Sequence, residues 1–138
     1  MIIGNRNTFR KEERLCSKKL IDGLFASGHG LTVYPYRVQW QLCPAEVLPE
    51  GVRMQVLITT SKRRFHHAVD RNRVKRLTRE CYRKEKRRLA EWLDSHGLSV
   101  VLSLNYIHTE IMDYARLSHK MEKLTDTLIH EIEKCVNC

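Results

Sequence analysis

The sequence predicts an α+β domain built on one sheet, in the order helix, three strands, helix, strand, helix. Two observations carry that expectation: apolar spacing switches between helical and alternating periods along the chain, and Pro and Gly punctuate the switches. Size agrees, because 138 residues at 42% hydrophobic content make about one domain with a modest core. The whole chain, 1–138, is therefore read as a single domain.

Residues 1–10 carry Arg6 and Arg10 without an apolar period, which predicts an extended arm. From Lys11 to Ser27, Leu15, Leu20, Ile21, Leu24 and Phe25 follow helical spacing, Glu12 and Glu13 suit a first turn, and Gly28 supplies a stop. Leu31–Tyr34 and Tyr36–Leu42 read as strands parted by Pro35. In the second, Tyr36, Val38, Trp40 and Leu42 share one face, with Arg37, Gln39 and Gln41 on the other. Pro44 to Gly51 reads as a surface loop and Val52 to Thr60 as a third strand. A long basic helix is expected from Ala68 to Asp94, ended by Ser95-His96-Gly97. Leu98 to Tyr106 reads as a buried strand. Leu117, Met121, Leu124, Leu128 and Ile132 then draw an amphipathic last helix, with residues 133–138 as a frayed tail.

Charge singles out the middle of the chain. Residues 62–88 hold 13 of the 25 Lys and Arg against Asp70, Glu80 and Glu85, a local net of +10; the remaining residues sum to −1. Val74, Leu77, Cys81 and Trp92 fall on one side of the helix, and Lys75, Arg76, Arg79, Arg83, Lys86 and Arg87 on the other. With few acids at i±4, these cations are expected to lack internal partners and to face a polyanion, phosphate backbone above all. Arginine predominates, and its guanidinium forks two donors onto one phosphate or stacks on a base. Asn72, between two arginines, has an amide suited to capping the helix or binding a 2′-hydroxyl.

The run Arg71-Asn72-Arg73-Val74-Lys75-Arg76-Leu77-Thr78-Arg79-Glu80 resembles the RNR signature of the bacterial ribonuclease P protein component. Phe9-Arg10-Lys11-Glu12-Glu13-Arg14-Leu15 resembles the opening of that family, and Thr60-Ser61-Lys62-Arg63 the strand end before its signature. The likeness spans roughly residues 8 to 130. It implies a ribosomal protein S5 domain 2-like α-β-β-β-α-β-α sandwich whose βαβ crossover is left-handed, against the general right-handed rule. It further implies a ribonucleoprotein enzyme in which a catalytic RNA, with Mg²⁺ held mainly by RNA and substrate, removes the 5′ leader of precursor tRNA while the protein assists. The same likeness assigns RNA contacts to Lys62, Arg63, Arg71, Asn72, Arg73, Lys75, Arg76 and Arg79, with Arg83 continuing that face. It also implies a leader-binding cleft between the first helix and the sheet, for which Phe25, Tyr36 and Trp40 are the aromatic candidates. This chain departs from the family pattern in lacking glycine over Met54–Leu57 and Arg64–His67, and in placing Asn105 where an arginine commonly ends the fourth strand.

No carboxylate pair, glycine-rich phosphate loop, nucleophile elbow or metal-ligand cluster is visible, so no protein catalytic residue is expected. Competing readings are a ribosomal or RNA-chaperone protein, a DNA-binding helix-turn-helix protein, and an autonomous nuclease. The signature favours the ribonuclease P reading, because generic RNA binding needs charge but not that order of residues. Without a secretion signal or membrane span, the chain is expected to be cytoplasmic, with Cys16, Cys43, Cys81, Cys135 and Cys138 reduced and the Cys135–Cys138 pair in the tail.

Overall fold

The computed structural model describes residues 11–137, so the expected arm at 1–10 and Cys138 lie outside the described residues. Four strands, β1 (His29–Val33), β2 (Tyr36–Leu42), β3 (Met54–Thr60) and β4 (Val100–Tyr106), form one sheet in the order β1-β2-β4-β3. β1 pairs antiparallel with β2 and β2 with β4, whereas β3 runs parallel to β4. A parallel pair needs a long crossover, and helix α2 (Ala68–Ser95) supplies it. Helices α1 (Lys18–Ser27) and α3 (Tyr114–Val136) complete the α+β order that the periodicity predicts.

The period-two pattern of β2 decides which face holds the main core. Tyr36, Val38 and Trp40 are buried beside Leu102, Leu104 and Tyr106 of β4 and Met54 and Val56 of β3. Over them lie Val74, Cys81, Leu89 and Leu93 of α2 and Leu117, Met121, Leu124, Leu128 and Ile132 of α3. A buried hydrogen bond of 2.8 Å between the Tyr36 hydroxyl and Thr78 Oγ1 fixes α2 over β2. On the opposite face a smaller cluster of Leu15, Leu24, Leu48, Val52 and Val101 packs beneath α1.

Three expectations change. The first helix begins at Lys18, not Lys11, because Ser17 accepts a hydrogen bond from the Leu20 N–H and caps it. Lys11–Glu13 is instead a short 3-10 turn, after which Arg14 bridges to Val56 and the Leu15 N–H donates to the Val56 carbonyl. Lys86 is not on the solvent side of α2. The buried stripe rotates around the helix from Val74 and Cys81 towards Leu89 and Leu93, and Lys86 follows it inside, 1% exposed, to donate to both Glu13 carboxylate oxygens at 2.9 Å. The tail from Glu133 to Val136 is helical rather than frayed, with Asn137 as the cap.

Gly28 ends α1 where a Cβ would lie 2.3 Å from the Leu24 carbonyl oxygen, so the turn from α1 into β1 has room only for glycine. Gly97, at φ +64°, lets α2 turn into β4.

Replacing Lys86 by Met should orphan the Glu13 carboxylate and cost about 3–5 kcal/mol in urea unfolding, whereas Glu13→Leu with Lys86→Met together should recover most of that loss. Burial pushes the Cys81 thiol up to about 11 from its ordinary 9.0 and also raises the Tyr36 hydroxyl. Both groups are neutral in the fold, so their contribution is complete below pH 9. It is lost as pH rises from 9 towards 11, when the unfolded thiol ionises and the folded one does not. Chemical unfolding should lose on the order of 2–3 kcal/mol across that window in the wild type and less in Cys81→Ala.

Candidate nucleic-acid interface

Between β3 and α2 the chain turns through Ser61–Phe65, held by the Phe65 N–H on the Ser61 carbonyl and the Arg63 N–H on Ser61 Oγ. Phe65 is buried against Tyr106, which leaves Lys62, Arg63, Arg64, His66 and His67 in solvent around it. Helix α2 begins at once, and Asn72, Arg73 and Arg76 are exposed on its first two turns, with Lys75 and Arg79 partly exposed. Residues 62–79 hold eight Lys and Arg against Asp70 alone, a net of +7.

Ion pairing divides this helix into two halves. In the C-terminal half Arg83 meets Glu80 at 2.8 Å, Arg87 meets Glu91 at 3.1 Å, and Arg88 meets Glu85 at 2.7 Å and Asp126 of α3. Lys84 lies 4.9 Å from the centre of the Tyr114 ring, and Lys86 is buried on Glu13. The expectation that the basic face lacks internal partners is thus corrected here: acids at i±3 and i±4, and from other elements, do reach it. In the N-terminal half it holds. Lys62, Arg63, Arg64, Arg73, Lys75, Arg76 and Arg79 take part in none of the six ion pairs found among the described residues.

Two of the residues expected to contact RNA have partners within the protein. Arg71 turns back, its Nη1 donating to the carbonyls of Phe65 at 2.7 Å and His66 at 3.0 Å, so it latches the loop that presents Lys62–Arg64. Arg83 is engaged with Glu80 and belongs to the paired half. The role of Arg71 is not visible from spacing, since a carbonyl partner leaves no mark in a charge pattern, whereas Glu80 stands three residues before Arg83 in the sequence.

A second concavity lies on the sheet face that α1 only half covers. Phe25, 51% exposed, overhangs a cleft of about 380 Å³ floored by Arg37 and Gln39 of β2, Thr59 of β3, and Ser103 and Asn105 of β4. Thr59 Oγ1 donates to Asn105 Oδ1 at 3.2 Å, which turns the Asn105 amide nitrogen free as a donor. Of the three aromatic candidates for this cleft, only Phe25 is there. Tyr36 and Trp40 are 0% and 2% exposed on the other face, inside the main core, with Trp40 stacked on His29 at 4.5 Å. The alternation of β2 already set Arg37 and Gln39 against them, so the polar residues, not the aromatic ones, mark the open face.

Among the described residues no three His, Cys, Asp or Glu side chains converge as a metal-ligand set, and no helix is long and apolar enough to cross a membrane. Cys135 Sγ lies 3.9 Å from His29 Nε2, with no third ligand among the described residues.

A family model described as ribonuclease P matches residues 9–129. The ribonuclease P protein component of Porphyromonas gingivalis is 33% identical over 113 residues, covering 82% of this chain and 80% of that one. That of Chlorobium phaeobacteroides is 36% identical over 106 residues, 73% of each chain. The solved structure of the Staphylococcus aureus RNase P protein superposes with a TM-score of 0.62 at 19% identity, over 84% of this chain and 94% of that one. A mutant of that protein with defective mRNA degradation activity superposes at 0.63 with 18% identity, over 86% and 89%.

If Arg71 is a latch and Arg76 a free cation, thermal unfolding should separate them. Arg71→Ala should cost about 1–3 kcal/mol by leaving the loop carbonyls without their charged donor, and Arg76→Ala should stay within about 0.5 kcal/mol of wild type.

Proposed function

The chain belongs to the ribonuclease P family, and from that premise we propose that residues 62–79 grip the catalytic RNA while the Phe25 cleft takes the single-stranded 5′ leader of precursor tRNA. The observation that carries the reading is the set of cations on the loop and first turns of α2 that take part in no ion pair among the described residues. Cations that neutralise nothing within the protein keep their full Coulomb energy for phosphate, and each one bound releases counterions from the RNA. Asn72 joins them as a group able both to donate to and to accept from a ribose hydroxyl.

In this reading magnesium would be held mainly by the catalytic RNA and the substrate and would supply the hydrolytic chemistry there, and the protein's share is electrostatic and positional. Lys62, Arg63, Arg73, Lys75, Arg76 and Arg79 lower the repulsion between phosphates brought close at the junction of RNA and substrate. Phe25 stacks on one leader base, a contact that is largely indifferent to base identity, and Arg37 offers a guanidinium to the phosphate beside it. The product is tRNA with a mature 5′ end. Its place is the bacterial cytoplasm, where precursor tRNA is made.

Cleavage of precursor tRNA by the cognate catalytic RNA at low magnesium tests this. Wild-type protein should stimulate it strongly, and Arg73→Ala, Arg76→Ala and Arg79→Ala combined should abolish the stimulation and flatten the logarithmic salt dependence of RNA binding by roughly 2–3. Phe25→Leu should weaken binding of leader-bearing substrate by about tenfold, equivalent to about 1.4 kcal/mol, and leave mature tRNA unaffected. Binding of the catalytic RNA with no change in cleavage by the wild type would end the reading.

A further inference from the structure

A second exposed aromatic lies outside the set of residues that line the Phe25 cleft. Tyr34, 49% exposed, occupies the two-residue turn with Pro35 that joins β1 to β2. Register places that turn at the end of the sheet where β3 and β4 finish, since Tyr36 stands opposite Tyr106 and Tyr106 opposite Thr60. The loop carrying Lys62, Arg63 and Arg64 starts from the same end.

The ring of Tyr34 is held although half of it is open. Its hydroxyl is 2.5 Å from His108 Nδ1 and the two rings meet edge to face at 5.3 Å. The loop bearing His108 is itself tied down, with the Ile107 N–H donating to the Pro35 carbonyl at 2.8 Å. From His108 ring contacts continue to Tyr106 at 6.4 Å and to Phe65 at 6.0 Å, the residue whose carbonyl holds Arg71. One packed row of rings therefore connects an exposed tyrosine to the loop that presents the free cations. An unsupported tyrosine in a turn would lose rotamer freedom on stacking; one already fixed by a hydrogen bond and a ring contact loses less.

Resting on the reading that this end of the molecule meets RNA, we propose that Tyr34 is a stacking platform for an unpaired nucleotide, held in place by His108, with neighbouring phosphates on Lys62 and Arg63. Unpaired bases stack on aromatic rings with little regard to sequence, and a ring beside free cations is the pairing that single-stranded RNA requires. The nucleotide belongs either to an unpaired stretch of the catalytic RNA or to the precursor substrate. The chemistry at Tyr34 is the same for both.

The test uses the full-length protein as wild type, Tyr34→Leu and Tyr34→Phe, with the Arg73/Arg76/Arg79 triple alanine variant as reference. Each is titrated against the cognate catalytic RNA, and each holoenzyme against precursor tRNA and mature tRNA. Tyr34→Leu should bind on the order of tenfold more weakly in one of these titrations, and Tyr34→Phe, which keeps the ring, within about twofold of wild type. A loss confined to the catalytic RNA places the nucleotide there; a loss confined to leader-bearing substrate places it in the leader. Wild-type affinity of Tyr34→Leu in every titration, while the triple variant fails to bind, would overturn the platform and leave the functional reading intact. Retained binding by the triple variant would instead remove that reading. Tyr34→Phe and Tyr34→Leu weakened equally, with unchanged circular dichroism, would also overturn the platform, since the hydroxyl rather than the ring would then matter.

Discussion

The buried pair of Glu13 and Lys86 is the constraint on which the arrangement of the basic helix depends. Each side chain is almost wholly withdrawn from water, 3% and 1% exposed, and the lysine spans both carboxylate oxygens. Withdrawing two charges costs several kcal/mol per ion, which their attraction and the paired hydrogen bonds roughly offset, so the net contribution to stability is small. Its value is positional: with either partner misplaced, one bare charge would remain in the interior. The 3-10 turn that bears Glu13, the added bridge of Arg14 to Val56 and the middle of α2 are thereby held in one register along the β3 edge.

That register has a consequence for charge. Once Lys86 is inside and Arg83, Arg87 and Arg88 have found Glu80, Glu91, Glu85 and Asp126, the C-terminal half of α2 is neutralised by the protein itself. All the unbalanced charge is left at the N-terminal end. The helix macrodipole is already positive there, and Asp70 is the first turn's only acid, so the cations that begin at Arg71 stand at the helix end where the dipole least favours positive charge. Placing them at the other end would have been favourable. An anion bound at the N-terminal end would reverse the sign of these interactions, which is what the proposed RNA contact would supply.

Much of this could be read from the sequence because periodicity reports on burial. Residues 36–42 and 117–132 gave their elements and their core sides directly: Val38, Leu117, Met121, Leu124, Leu128 and Ile132 are all buried. What could not be read has physical causes of three kinds. A straight-helix projection does not follow a stripe that drifts along 28 residues, and so it left Lys86 outside. Capping by Ser17 overrode an apolar spacing that would have started α1 at Lys11, since Leu15 is buried from an extended segment rather than from a helix. And one face of a strand looks aromatic whether it packs on helices or on a ligand, which is why Tyr36 and Trp40 suited a cleft until α2 and α3 were placed over them.

The single sheet then does two jobs because its two faces differ in chemistry from one residue to the next. On the helix-covered side every position from β2 across β4 to Val56 is apolar or a satisfied tyrosine, which leaves nothing for a solvent-borne ligand to reach. On the other side, α1 covers only the end containing Val101 and Leu57, and the rest, with Arg37, Gln39, Thr59, Ser103 and Asn105, has no apolar surface to attract a further element. A polar sheet face next to one exposed phenylalanine is a poor packing surface and a good bed for a flexible polyanion. In the proposed reading, Phe25 would offer a base a stacking surface, and the amides and the guanidinium around it would offer hydrogen-bond partners to a bound strand. The cations on α2 and the cleft beside α1 share one topology: β2, β3 and β4 floor the cleft, and the parallel crossover that carries the cations leaves from the end of β3.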